Sequence, residues 1–103
     1  MTRCAGCRHR LDDESACLVA SMHGSLLGDE YVESYFRCPH CGTCTLSVVR
    51  DRFAGEEVVV TEAAALSEDE AARRLALIGR CPEPWNKRCR CEAHREYFGD
   101  ALD

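Results

Sequence analysis

The sequence has no long hydrophobic run, and none of its apolar stretches approaches the length of a transmembrane helix. Its start, MTRCAGCRHRLDDES, lacks the apolar segment of a secretory signal peptide. We therefore expect a cytoplasmic protein with no membrane partner.

The common catalytic motifs are also missing from the sequence. It contains no H-E-x-x-H, no nucleophile elbow and no phosphate-binding loop. The combined motif of zinc deaminases, H-x-E with P-C-x-x-C, is absent as well, and His40 in the CPHC turn is followed by cysteine and glycine instead of the required glutamate. We therefore predict that the protein is not an enzyme.

Aromatic residues are scarce, at 7% of 103 residues, and the apolar fraction of 46% includes nine cysteines. A chain of this length is near the lower limit for burying most of its apolar surface, so we expect one domain over residues 1–103. We expect its hydrophobic core to be thin, and something other than burial must help to stabilise the fold.

Nine cysteines is far above ordinary usage and predicts either a disulfide framework or metal ligation. The count is odd, several cysteines form C-x2-C pairs, and no secretion signal is evident. These observations favour metal ligation in a reducing compartment over disulfides.

The strongest metal-binding motif combines Cys4 and Cys7 of CAGC with Cys38 and Cys41 of CPHCG. Each C-x2-C turn can aim two sulfurs at one ion, and two such turns supply the four soft ligands of tetrahedral zinc. The intervening chain is long enough to form a hairpin that brings the turns together. Over residues 4–42 the sequence resembles the zinc-ribbon superfamily, whose second turn is often CPxCG. This resemblance implies a metal-binding architecture but no particular function.

A second motif lies near the C-terminus, where Cys81, Cys89, Cys91 and His94 offer three thiols and an imidazole. This is a known ligand set of structural zinc. In an extended chain Cys89 and Cys91 would point to opposite sides, so the motif requires a bend, which we expect at residues 86–90. With the first motif, it predicts two Zn²⁺ ions in the protein.

A competing interpretation uses Cys38, Cys41 and Cys44, which have the spacing of an iron–sulfur run in bacterial ferredoxins. Cys81 is followed by Pro82, as the distant fourth ligand of such clusters often is. This alternative predicts an iron–sulfur or redox-sensing protein. It leaves five cysteines unused, whereas two zinc sites leave two.

The two cysteines outside the zinc motifs have separate expectations. Cys17 lies in an apolar stretch and is expected to be a small buried hydrophobic residue, with replacement of a ligand in the C-terminal site as the alternative. Cys44 shares a strand face with Leu46 and Val48, so it either fills the core or completes the C-terminal site in place of His94. His40 is not expected to be a ligand.

The overall pattern predicts an α+β fold stapled by zinc, with a zinc-ribbon-like β part at 1–61 and an irregular metal-binding tail at 81–103. A capping box predicts a helix over 67–80, with Gly79 as its C-terminal cap and a buried stripe of Ala71, Leu75 and Ile78. The predicted strands cover 16–22, 31–37, 43–53 and 58–61, and the loops of two hairpins cover 23–30 and 54–57.

The net charge of −5 argues against binding of nucleic acid by the whole surface. The basic segment 87–95 still permits an alternative function as a nucleic-acid-binding regulator, although its cations can instead offset the charge of a zinc–thiolate centre. We favour a structural zinc protein that acts as an adaptor for another protein through Trp85, Tyr31, Tyr35 and the exposed side of the helix. The sequence leaves the oligomeric state open.

Overall fold

The computed structural model describes residues 3–8, 17–26, 29–51 and 59–99. They form an antiparallel sheet with strand order β1-β2-β3-β4 and two helices, an α+β arrangement as predicted. The elements are β1 Leu18–Leu26, β2 Asp29–Arg37, β3 Cys44–Asp51, β4 Val59–Leu66, α1 Glu68–Arg80 and α2 Glu92–Phe98.

Two strand boundaries differ from the prediction. The segment 23–30 was expected to be a loop, but its described residues, 23–26 and 29–30, belong to strands that pair from His23↔Val32 to Leu26↔Asp29. Likewise β4 continues to Leu66 instead of ending at residue 61. In both places a neighbouring strand supplies backbone partners, and this pairing overrides the weak strand preference of the glycine, serine and alanine residues. The predicted turn at 54–57 lies outside the described residues.

The predicted alternation within the strands is confirmed by their register. Tyr35 lies opposite Ala20 on β1 and Leu46 on β3, so these residues share one face of the sheet. Both helices pack on this face, because the core contains residues from it together with residues from α1 and α2. The buried members are Met22, Tyr35, Cys44, Leu46, Ala71, Ile78, Cys81 and Ala93.

Helix α1 begins as the capping box predicts, since the Ser67 hydroxyl accepts the backbone N–H of Glu70 at 3.2 Å. Ala71 and Ile78 are buried, and Leu75 is half-buried against the core. Leu77 is buried as well, which the predicted stripe omitted.

The C-terminus of α1 differs from the prediction, because Gly79 lies inside the helix and Cys81 caps it. The backbone N–H of Cys81 donates to the carbonyl of Ile78 at 3.1 Å. The physical reason is Pro82, whose ring disfavours helical backbone at the residue before it. The helix therefore ends directly at a predicted metal ligand.

Helix α2 is short and depends on its contacts with the sheet. It has seven residues, too few for a stable isolated helix. The Phe98 ring lies over β1 at Gly24, where an added Cβ atom would come within 2.6 Å of the ring. No helix in the described residues has the length and apolar character needed to cross a membrane.

Tyr35 is fully buried, so the prediction that its side chain belongs to an exposed interaction surface was wrong. The alternation that placed Tyr31 and Tyr35 on one face put that face against the helices. The Tyr35 hydroxyl contacts the hydroxyl of Tyr97, which donates to Glu33 Oε1 at 2.6 Å. Burial raises the pKa of both tyrosines, so both remain neutral donors near physiological pH.

Candidate metal centres

The first cluster brings together the four cysteines of the two C-x2-C motifs: Cys4, Cys7, Cys38 and Cys41. All four sulfurs lie within 4.8 Å of one another, with Cys4 to Cys41 at 3.4 Å and Cys7 to Cys38 at 3.6 Å. Four thiolates around one tetrahedral zinc at about 2.3 Å would have sulfurs about 3.8 Å apart. The cluster can therefore hold a single metal ion.

The N-terminal turn of this cluster is organised around the Cys4 sulfur. The backbone N–H groups of Gly6 and Cys7 donate to Cys4 Sγ at 3.3 and 3.4 Å, and Arg8 N–H donates to the Cys4 carbonyl at 2.9 Å. Burial alone would raise the pKa of Cys4, but these N–H groups outweigh it, and the pKa is lowered. The local backbone therefore favours a thiolate.

The second turn joins β2 to β3. Cys38 N–H donates to the Thr43 carbonyl and Gly42 N–H to the Cys38 carbonyl, each at 3.0 Å. Gly42 has a φ of 76°, a conformation that glycine adopts without strain. The hydroxyl and the backbone N–H of Thr43 lower the pKa of Cys41 to about 6. This turn therefore also favours a thiolate.

The sheet anchors the first cluster at one end. Ala5 N–H donates to the hydroxyl of Thr45 at 3.0 Å, and Thr45 is fully buried. Cys4 and Cys38 pack with Phe36 and Cys17. The burial of Cys17 agrees with the sequence prediction. Cys17 thus lies beside the cluster without belonging to its four-residue set.

The second cluster brings together Cys81, Cys89, Cys91 and His94, whose ligand atoms also lie within 4.8 Å of one another. Cys81 Sγ is 3.8 Å from Cys89 Sγ, 3.5 Å from Cys91 Sγ and 3.0 Å from His94 Nδ1. Three thiols and an imidazole at these separations can hold one tetrahedral ion.

A turn at Asn86 supplies the bend that the spacing of Cys89 and Cys91 requires. Asn86 N–H donates to the Glu83 carbonyl, and Cys89 N–H donates to the Asn86 carbonyl, each at 3.0 Å. Cys91 then caps α2, because its sulfur accepts the backbone N–H of His94 at 3.4 Å. The bend predicted from the sequence therefore forms before α2.

His94 has the orientation expected of a metal ligand. It is fully buried, and its Nε2 lies 2.8 Å from the backbone carbonyl of His23. A carbonyl can only accept, so Nε2 carries the proton and Nδ1 presents its lone pair to the thiols. Ligating histidines are commonly oriented by such a bond on the other ring nitrogen.

The backbone of His23 was not identified from the sequence as part of a site. Its carbonyl accepts from His94, and its N–H donates to the Pro84 carbonyl at 2.8 Å. Both groups belong to the outer edge of β1, so the C-terminal tail docks on that edge. No sequence signal would have revealed this role, since every residue other than proline carries the same two backbone groups.

The electrostatics of the second cluster also suit a cation. Burial raises the pKa of Cys81 to about 12, which opposes a thiolate there. Burial acts on Cys91 in the same direction, but the N–H and ring of His94 outweigh it and lower that pKa to about 6. A divalent ion would stabilise all three thiolates together, because its charge offsets their mutual repulsion.

Cys44 belongs to neither of the four-residue sets found in the described residues. It lies in the main core cluster on β3, and burial raises its pKa. Cys38 and Cys41 instead lie with the N-terminal pair. His40 is exposed and also lies outside both sets.

The basic segment 87–95 makes several contacts within the chain. Lys87 forms an ion pair with Glu30 of β2. Arg90 Nη1 donates to the carbonyls of Lys87 and Cys89 at 3.3 and 3.1 Å. Arg88 and Arg95 are exposed. Half of the four cations therefore already have partners around the second cluster.

Comparisons with protein-family models, with curated protein sequences and with solved structures found no match. The resemblance to zinc ribbons therefore rests on the two C-x2-C turns of the first cluster. The protein is a small α+β chain with two cysteine-rich clusters that can bind metal.

Proposed function

We propose that the protein is a structural zinc-binding protein with one Zn²⁺ ion in each cluster. The observation that carries this proposal is the pair of complete four-ligand sets, one of four thiols and one of three thiols and an oriented imidazole. A catalytic zinc needs an open coordination position, and sets of four protein ligands leave none. The proposed role of both ions is therefore to hold the fold.

Zinc is favoured over an iron–sulfur cluster by the spacing of the sulfurs. The neighbouring sulfurs lie 3.4 to 3.8 Å apart, which suits ligands that share one ion. In a four-iron cluster each cysteine binds a different iron, so the ligand sulfurs must lie further apart. Cys44, which an iron–sulfur run would need, lies in the main core instead.

Each ion would join separate structural elements of the chain. The first would hold the N-terminal turn against the connection between β2 and β3. The second would join the C-terminal cap of α1, Cys81, to the N-terminal cap of α2, Cys91. Metal–thiolate ligation contributes about 10 kcal/mol or more of folding free energy per site in peptide systems. This contribution would supplement the limited stability that a thin hydrophobic core supplies.

Native mass spectrometry of protein purified without oxygen tests the metal content. We expect two zinc ions per chain, one zinc in a Cys38→Ala variant and two in a Cys17→Ala control, since Cys17 is buried beside the first set but not part of it. One zinc in the unmodified chain would remove one of the proposed sites. Iron with sulfide would contradict the proposal and support the redox alternative.

The adaptor role remains our proposal for how this scaffold is used, and Trp85 supports it. Its side chain is 65% exposed, although tryptophan usually contributes to a core or an interface. The turn that carries it is tied down on both sides, by Pro84 to β1 and by Asn86 to Glu83. A turn whose backbone is already fixed loses little conformational entropy on binding, which suits the presentation of Trp85 as an anchor for a partner protein. Tyr31 of the predicted surface is half-buried.

Crosslinking in cells tests the adaptor role. We expect a partner protein that is captured by the intact chain and lost with Trp85→Ala, with Arg95→Ala as a control exposed on α2. If the purified chain instead binds a nucleic acid at physiological salt, and Lys87→Glu with Arg88→Glu abolishes that binding, the alternative regulator is the better description.

A further inference from the structure

The two clusters differ in how far their sulfurs face solvent. In the first, Cys7 and Cys41 are exposed, whereas Cys4 and Cys38 are only 1% and 2% exposed. In the second, Cys81 and His94 are buried, and the two remaining cysteines are half-buried. Among the described residues of the two clusters, only the first therefore contains cysteines that are exposed and can meet small molecules in solution.

The geometry points to Cys7 and Cys41 as an oxidation site for hydrogen peroxide and similar small two-electron oxidants. This inference rests on the proposed function, because it requires a zinc ion in the first cluster. Exposed thiolates are the thiol form that peroxides attack, and zinc keeps its cysteine ligands in that form. The two sulfurs lie within 4.8 Å of each other, so a sulfenic acid on one is within reach of the other.

The reaction balances with peroxide as its oxidant. The sulfur of Cys41 or Cys7 attacks one peroxide oxygen, the O–O bond breaks, and a sulfenic acid and one hydroxide form. The second thiolate then attacks the sulfenic sulfur, forms the disulfide and expels a second hydroxide. The two thiolates lose two electrons, which reduce one peroxide. An ion held in the first cluster would then keep only Cys4 and Cys38 as ligands and would be released.

Oxidation at this site would replace the proposed four-ligand metal centre by one covalent link, the Cys7–Cys41 disulfide, between the N-terminal turn and the connection between β2 and β3. The N-terminal turn contacts the sheet through the bond from Ala5 to Thr45 and through the packing of Cys4 on Phe36. Next to Phe36, its cross-strand neighbour Leu18 and the adjoining Val19 are already 42% and 49% exposed. The disulfide therefore keeps the turn beside this partly exposed apolar end of the sheet, while Cys4 and Cys38 lose the metal that they would share with Cys7 and Cys41.

The second cluster serves as an internal control, because its ligands are held by other elements. It is formed by the end of α1, the start of α2 and the edge of β1 at His23. Its imidazole is bonded to His23 of β1, whereas the N-terminal turn is bonded to Thr45 of β3. We therefore expect it to keep its zinc while the first cluster is oxidised.

The test treats the two-zinc protein with one equivalent of hydrogen peroxide and follows it by native mass spectrometry and differential alkylation. We expect loss of one zinc and protection of Cys7 and Cys41 from alkylation, at least about ten times faster than any change at Cys81, Cys89 or Cys91. Equal rates at both clusters, faster loss at the second, or no reaction would overturn the inference while leaving two structural zincs intact. A preparation without two zincs would contradict the proposed function itself.

A variant separates the disulfide from general oxidation. Cys7→His keeps four ligands, as in the second cluster, but removes one of the two reacting thiols. We expect this variant to bind two zincs and to resist peroxide-driven release at the first cluster. If this variant does not hold zinc in the first cluster, Cys41→His is used in its place. In either case, which cluster of the unmodified chain reacts first with peroxide tests the inference. Equally fast zinc release from a two-zinc variant would overturn the inference.

Discussion

Removal of both zinc ions by a strong chelator, with the thiols kept reduced, is expected to unfold most of the chain. Ligation contributes about 10 kcal/mol per structural zinc site in peptide systems. The whole net stability of an ordinary domain is only about 5–15 kcal/mol, so the loss of two such sites exceeds what the remaining contacts supply.

The composition of the two core clusters explains this expectation. In the smaller cluster, three of the four buried residues are the cysteines 4, 17 and 38, and Phe36 is the fourth. In the larger cluster, Cys81 and Ala93 come from the tail that the second ion would hold. Without the ions, the tail would be held weakly, because α2 has only seven residues and the tail makes few hydrogen bonds to the sheet. Metal removal therefore removes two sources of stability together, the metal–ligand bonds and the buried apolar area of these clusters.

Circular dichroism and thermal melting of the metal-free chain measure this effect. We expect loss of the cooperative transition, and its return when zinc is added back but not when magnesium is added, since magnesium prefers oxygen ligands. A cooperative transition that survives verified loss of both ions would show that the fold does not depend on metal.

His94→Ala is expected to remove the second zinc and to lower the free energy of unfolding by at least about 3 kcal/mol. The change deletes a fully buried side chain together with its Nδ1 ligand atom. It also leaves the His23 carbonyl without the donor that occupies it in this structure. The C-terminal tail would then lose one of its two bonds to the edge of β1.

Two controls separate the contributions of His94. His94→Cys restores a fourth soft ligand without the hydrogen bond to His23, so we expect it to keep two zincs with a smaller loss of stability. Arg95→Ala changes an exposed neighbour on the same helix and is expected to change neither quantity much. Native mass spectrometry counts the zinc, and urea denaturation measures the stability. Two zincs in His94→Ala would show that His94 is not a ligand.

Features set by neighbours in the sequence were the ones that could be predicted. The capping box at Ser67 operates within one helical turn, and the alternation of Tyr35 and Leu46 follows from the two-residue repeat of a strand. The C-x2-C turns are equally local, because each needs only its own four residues to aim two sulfurs. All of these elements are present where the sequence indicated them.

Two of the errors occurred where a partner distant in sequence decides the outcome, and a third, at Gly79, arose from a nearby residue, Pro82. Gly79 has the residue type of a helix cap, but Pro82 and the position of Cys81 end the helix later. Tyrosine is a common residue type at interfaces, but two helices cover the face of the sheet on which Tyr35 lies. The segment 23–30 has the composition of a loop, but each strand there supplies backbone partners for the other.

The eight candidate ligands follow from the sequence alone, because cysteine and histidine at short fixed spacings leave few ways to arrange a tetrahedral site. The tertiary structure decided how those ligands differ. It buried Cys44 in the main core, exposed Cys7 and Cys41, and used the His23 carbonyl to select Nδ1 of His94. Burial and backbone hydrogen bonds depend on which strands and helices contact one another, and the spacing of residues along the chain does not determine those contacts.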